Sequence, residues 1–237
     1  EAKAALEFYR EFSAGASENL TTWVVMRKAP PLPFLPEEVH GTDVLAFALL
    51  YVGDMAEGEK EVEPLRKFGN PIADAVMPHP FAGFQAAFDP LLAPGARNYW
   101  KSHNFPTISD DAIDTFVKYS GSLPSPHSEI FIAQMGGAQS RVAPADTAYW
   151  HRDAAYVMNV HTRWEDAADD AACIAWAREL FDVTAKYATG GVYVNFMPDD
   201  ETDRVGAAYG DNYSRLVELK RKYDPTNMFR LNQNIQP

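Results

Sequence analysis

Residues 154–164 read AAYVMNVHTRW. Tyr156, Met158, Val160 and Trp164 fall on one side of an extended chain, and Asn159, His161 and Arg163 on the other, because successive side chains of a strand point to opposite faces. An alternating strand with one apolar face belongs to an antiparallel sheet covered on one side only. The second face admits two readings, a solvated surface or the lining of a ligand cavity. RNYWKSH at 97–103 behaves similarly, with Arg97, Tyr99, Lys101 and His103 sharing a face.

Working outward, NLTTWVVMRK at 19–28 and SEIFIAQMGG at 128–137 read as further strands. TDVLAFALLYVGD at 42–54 is short and strongly apolar and predicts a buried strand. EAKAALEFYREFSAG at 1–15 is an amphipathic helix, and MAEGEKEVEPLRKFG at 55–69 is another. SDDAIDTFVKYSG predicts a helix with Ser109 as N-cap and Gly121 past its end. DDAACIAWARELFDVTAKYATGG at 169–191 is the longest helix, VYVNF at 192–196 reads as one more short strand, and a final helix spans about 203–222. Residues 70–95, rich in Pro, Phe and Gly, are irregular. Strand–strand–helix units of this kind predict an α+β fold, an antiparallel β-sheet covered on one face by α-helices, with a C-terminal helix and a returning tail.

The 237 residues are 46% hydrophobic and 13% aromatic, enough for a packed core, and carry a formal charge of −12 without any basic block. That balance excludes a nucleic-acid or anionic-membrane surface, which needs clustered Lys and Arg. No apolar run approaches the ~20 residues of a membrane span, and a soluble cytoplasmic setting is expected. The chain opens inside a helix without Met, which predicts a fragment or processed product. Cys173 is the one cysteine, so no intrachain disulfide forms. The six histidines lack paired spacing and no metal site is expected. HRDAAYVMN at 151–159 resembles a kinase catalytic loop, but its Asn falls one position late and no phosphate loop precedes it. Neither G-x-G-x-x-G nor a Walker A sequence is present.

The tail is unusually specified. Tyr209, Tyr213, Leu216, Leu219 and Tyr223 make one buried helix stripe, Asp224-Pro225 ends it, and MFRLNQNIQP alternates polar and apolar to the terminus. GGVYVNF at 190–196 followed by YGDNYSRLVELKRKYDPTNMFRLNQNIQP at 209–237 resembles the C-terminal signature of the berberine-bridge-enzyme-like FAD-linked oxidases, of the vanillyl-alcohol-oxidase type. GGAQSRVAPADTAYWHRDAAY at 136–156 and RNYWKSH resemble the same family's substrate domain. The resemblance implies that residues 1–190 form a substrate-binding cap domain. Residues 191–237 would return to pack on an N-terminal FAD-binding domain that this sequence does not contain.

It further implies FAD as cofactor and a small-molecule alcohol, a sugar or secondary metabolite, as substrate. Hydride would pass to the flavin, with dioxygen as acceptor. Tyr193 would be the catalytic base, and Tyr193, Asn195, Asn232 and Asn234 would contact the cofactor. A phenol, ordinarily titrating near ~10, needs nearby donors or cations for that role; Lys101 and Arg163 are candidates by strand face. Asn159, His161, Phe131, Ala133 and Lys101 would line the substrate pocket. Ala133 departs from the pattern, since relatives commonly carry a polar or acidic group there, and Gln134 should point to the other face. Self-association through the uncovered flavin-domain surface is expected. Two rival readings stand beside the oxidase: a flavin-free binding module of the same fold, and a cofactor-independent hydrolase.

Overall fold

A computed structural model describes residues 1–237. Five strands, β1 (Leu20–Lys28), β2 (Asp43–Tyr51), β3 (Arg97–Phe105), β4 (Glu129–Gln134) and β5 (Tyr156–Trp164), form one antiparallel sheet in the order β2-β1-β4-β5-β3. The helices are α1 (Ala2–Gly15), α2 (Met55–Lys67), α3 (Phe81–Ala86), α4 (Asp110–Ser120), α5 (Ala138–Arg141), α6 (Asp170–Thr184), α7 (Val205–Tyr209) and α8 (Tyr213–Tyr223).

Three of them, α1, α4 and α6, cover one sheet face. Helix α1 buries Ala5, Leu6, Tyr9 and Ser13, the 3-and-4 spacing of a single stripe. Helix α4 begins where the Ser109 hydroxyl accepts the Ala112 amide at 3.2 Å, as expected of an N-cap. The core joins Leu6, Tyr9, Phe116, Ala177 and Leu180 of these helices to Val24, Met26, Ile130, Ile132, Met158 and Val160 of the sheet. Gln134 points into this layer, where its Nε2 donates to the Ser13 carbonyl at 2.8 Å and its Oε1 accepts from Thr22.

Four elements depart from expectation, the first being the 209–223 stripe read as buried: α8 fully buries none of its residues and leaves Leu219 and Tyr223 exposed. β2 is an edge strand of half-buried residues rather than a buried one, because nothing pairs with its outer side. VYVNF forms no strand; Val194–Phe196 is a single 3-10 turn. The final helix is broken in two at Gly210, whose φ of 52° interrupts helical geometry between α7 and α8. A Cβ at Gly210 would lie 2.3 Å from the Trp150 ring, so close packing as well as conformation requires glycine there.

The turn and the broken helix make a second, small core: Val192, Met197, Val205 and Ala208, with Val194, Tyr209, Tyr213 and Ile235 packed against it. It is fastened to the sheet domain by polar groups. The Thr189 amide donates to the Asn104 carbonyl at 2.9 Å, Asn212 Nδ2 donates to the carbonyls of Pro144 and Thr147, and Lys101 of β3 pairs with Glu201.

The open sheet face and the candidate functional site

The face turned away from the helices is read from strand register. Ser102 of β3 lies opposite Asn159 of β5, which lies opposite Phe131 of β4, which lies opposite Val25 of β1. One step along, Asn104, Val157, Ala133 and Trp23 make a parallel row; one step the other way, Trp100, His161, Glu129 and Arg27 make a third. Phe84 of α3 and Phe88 pack on Trp23, with ring centroids 6.1 and 5.8 Å away, so the β1 end of this face is roofed.

The third row is polar and bonds to itself. Arg27 Nη1 donates to Glu129 at 2.9 Å. His161 lies between Glu129, 3.4 Å from its Nδ1, and Asn98, 3.1 Å from its Nε2. The Trp100 ring leans on His161 at 5.4 Å. Arg163 donates to Asn98 and to the Ala93 carbonyl, which holds it at the far end of β5.

Over the middle row sits the 192–197 turn. Phe196 meets Phe131 edge-on at 6.5 Å and Tyr193 meets Phe196 edge-on at 5.0 Å, an aromatic ladder from the sheet to Tyr193. Asn195 Nδ2 donates to Tyr193 Oη at 2.8 Å, so the phenol oxygen is held as an acceptor. Tyr149 packs edge-on against Tyr193 at 6.2 Å, and the Arg152 guanidinium lies 4.9 Å over the Tyr149 ring. Burial pushes the Tyr149 phenol up, and its hydroxyl is buried without a partner.

The tail reaches the same place. Asp224 ends α8 by accepting the amides of Met228 and Phe229 at 2.7 and 3.0 Å, while Lys220 bridges Asp224 and the Phe229 carbonyl. The lysine and these amides hold the Asp224 carboxyl below its ordinary range. Gln233 Nε2 then donates to the Met197 carbonyl at 2.7 Å, and Ile235 enters the second core. Asn232 is exposed with φ 58°, and Asn234 Oδ1 is buried without a partner.

The structure therefore sets Tyr193 and Asn195 over the open face, ties the tail that carries Asn232 and Asn234 to the same turn through Gln233, and sets Phe131, Ala133, Asn159 and His161 on that face. Lys101 is not among them. The register sets it opposite Val160, on the helix-covered side, where its Nζ donates to Glu201 Oε1 at 2.8 Å and lies 4.7 Å over the Phe181 ring. Neither Lys101 nor Arg163 reaches Tyr193; the donor it has is Asn195. Sequence reasoning missed Tyr149, Ser102 and Asn104. Tyr149 carries no periodic signal, whereas Ser102 and Asn104 form the alternate set of β3, which only the pairing with Asn159 selects.

Residues 192–236 match the family model described as berberine and berberine like. Over 222 residues the chain is 30% identical to an FAD-linked oxidoreductase of Bacillus subtilis (strain 168), YgaK, covering 93% of this chain and 48% of that protein. Over 211 residues it is 31% identical to the chitooligosaccharide oxidase of Gibberella zeae, covering 79% and 42%. The structure of BBE-like #28 from Arabidopsis thaliana superposes with a TM-score of 0.79 at 17% identity, covering all of this chain and 54% of that one. The chain spans about half the length of the curated relatives it matches. No helix is long and apolar enough to cross a membrane. By its matched C-terminal segment and its similarity to FAD-linked oxidoreductases, the chain resembles part of a berberine-bridge-enzyme-like FAD-linked oxidase.

Proposed function

We propose that this chain is the substrate-facing half of an FAD-dependent oxidase that removes a hydride from the carbinol carbon of a neutral alcohol, with dioxygen as final acceptor. Residues 1–190 act as the cap and 191–237 as the segment that packs on an FAD-binding domain. The observation that carries this reading is the Asn195–Tyr193 pair over the open sheet face, on a turn to which the Gln233–Met197 bond fastens the tail.

The donor set fits a flavin. Asn195 and Asn232 present exposed amides, and Asn234 Oδ1 is a buried acceptor awaiting a donor, all suited to a heterocycle edge that offers both. Beside them Met228, Phe229 and Leu231 are exposed, Leu231 by 86%, an apolar surface of the kind that another domain covers. The flavin supplies the hydride acceptor. In its phenolate form Tyr193 Oη takes the proton of the substrate hydroxyl and becomes the neutral phenol, and the Asn195 amide stabilises the negative charge that the oxygen carries before the transfer. Ala133 offers no second acid, so proton removal rests on Tyr193. The Phe131 and Phe196 rings exclude water from the neighbouring surface.

The test is anaerobic mixing of the full-length protein with a panel of primary and secondary alcohols, following bleaching of the visible flavin band. Tyr193→Phe should slow bleaching about 10²–10⁴-fold at unchanged flavin content. Bleaching as fast in Tyr193→Phe as in the parent, or none with any alcohol, would sink the proposal.

A further inference from the structure

The polar side chains of the open face hydrogen-bond to one another in the Arg27–Glu129–His161–Asn98 row and fail to do so in the adjacent rows. Ser102 Oγ, Asn104 Nδ2 and Asn159 Oδ1 are each buried and have no partner in the protein. Ser102 is 0% exposed, Asn104 1% and Asn159 8%. A buried polar group without a partner costs roughly 1–3 kcal/mol, and three neighbours sharing the defect point to something that completes them. All three sit on the ligand-facing side: Ser102 is the register partner of Asn159, which neighbours the Phe131 that carries Phe196 and Tyr193.

The three groups comprise an amide donor, an amide acceptor and a hydroxyl. Together they match one alcohol group, which donates once and accepts twice: its proton to Asn159 Oδ1, its lone pairs to Asn104 Nδ2 and the Ser102 hydroxyl. No charged side chain belongs to the set. The charges nearest along the strands, Glu129 and Arg27, already neutralise each other, and Lys101 points through the other face. We infer that Ser102, Asn104 and Asn159 form a subsite for a neutral hydroxyl of the substrate other than the one being oxidised, with Ser102 and Asn104 as specificity-determining residues. The inference rests on the oxidase reading for its occupant and makes the substrate at least a diol.

Glycerol is the probe, titrated to 1 M into full-length protein carrying oxidised flavin and labelled with 15N at asparagine. The side-chain amide signal of Asn104, assigned by its disappearance in Asn104→Asp, should shift and saturate. Ser102→Ala and the isosteric Ser102→Cys should each weaken glycerol about five- to tenfold, the loss of one hydrogen bond. Thr21→Ala, on the same face outside these rows, should leave it unchanged. No saturable shift in the parent protein, which would mean that ordered water or side-chain closure satisfies the triad, overturns the inference. So does a shift that both Ser102 variants leave intact. The titration needs no turnover. A saturable shift without bleaching by any alcohol would retain the subsite and remove the oxidase; bleaching without a shift would do the reverse.

Discussion

Glu201 is 1% exposed, and its Oε1 accepts from both Lys101 Nζ at 2.8 Å and Arg204 Nη1 at 2.6 Å. The two cations lie over the Phe181 ring at 4.7 and 4.9 Å. Glu201→Ala leaves both near one ring without the carboxylate that bridges them, with only 11% and 18% of their side chains exposed. Removing one partner of a buried ion pair costs about 3–5 kcal/mol, because the remaining charge has lost its hydration and its partner together. Unfolding entropy of about 2.1 cal/mol/K per residue, over a chain of this length, gives roughly 0.5 kcal/mol/K, so Tm should fall by about 6–10 °C. The control is Asp114→Ala, which breaks the exposed Lys3–Asp114 pair; such pairs contribute at most about 1 kcal/mol, or a shift of about 2 °C. Adding Lys101→Met to Glu201→Ala should restore part of the loss by removing one stranded charge. Calorimetry on these three variants and on Lys101→Met alone decides the matter. A Glu201→Ala shift no larger than that of Asp114→Ala, or a double variant that loses the sum of its parts, would refute the reasoning.

His103 stacks on Phe181 at 4.0 Å and donates from Nε2 to the Phe181 carbonyl at 2.9 Å; burial pushes its pKa down to about 4. The folded state therefore binds this proton later than the unfolded one, and stability falls as pH drops from about 6.5 toward 4. Between pH 7 and 5 the difference is about 2 kcal/mol, and urea midpoints should show His103→Phe losing less than the parent over that interval. Gly210→Ala combines an unfavourable φ with collision against Trp150. It should cost at least about 1–2 kcal/mol and alter Trp150 fluorescence; a silent substitution would count against the close packing. Asp224→Asn removes the charge that draws Lys220 and the amides of Met228 and Phe229 together. Hydrogen exchange should then quicken at 228–229 ahead of the sheet, whereas uniform exchange across the chain would disprove the latch.

The α+β plan was legible because its strands alternate cleanly and its covering helices carry single apolar stripes. Alternation groups residues onto a face without saying which face meets the helices. In RNYWKSHNF both alternate sets contain polar and aromatic groups, so the position of Lys101 depended on a register of β3 against β5 that no local pattern encodes. VYVNF has the composition of a strand, but its apolar residues are consumed by the small core around Met197 and Val205 instead of by a sheet edge. The broken final helix was marked by Gly210, whose role emerges only when Trp150, 60 residues earlier in sequence, packs against it. The convergence of the tail on Tyr193 was implied by family resemblance alone. The Gln233–Met197 bond that makes it physical joins two residues whose types announce nothing.

The strand order carries a consequence for synthesis on the ribosome. β1 and β2 are neighbours in both sequence and sheet and so have all they need to pair once both have emerged, yet the other flank of β1 waits for β4, which ends at Gln134, and β4 in turn waits for β5. At about 5–20 residues per second, the some 80 residues between β2 and the end of β4 take on the order of 4–16 s to emerge. For that interval WVVM presents an open hydrogen-bonding edge backed by apolar side chains, a target for chaperones and for self-association. Yield in cells should therefore respond to elongation rate and to substitutions in 23–26 more sharply than the stability of the finished molecule would suggest.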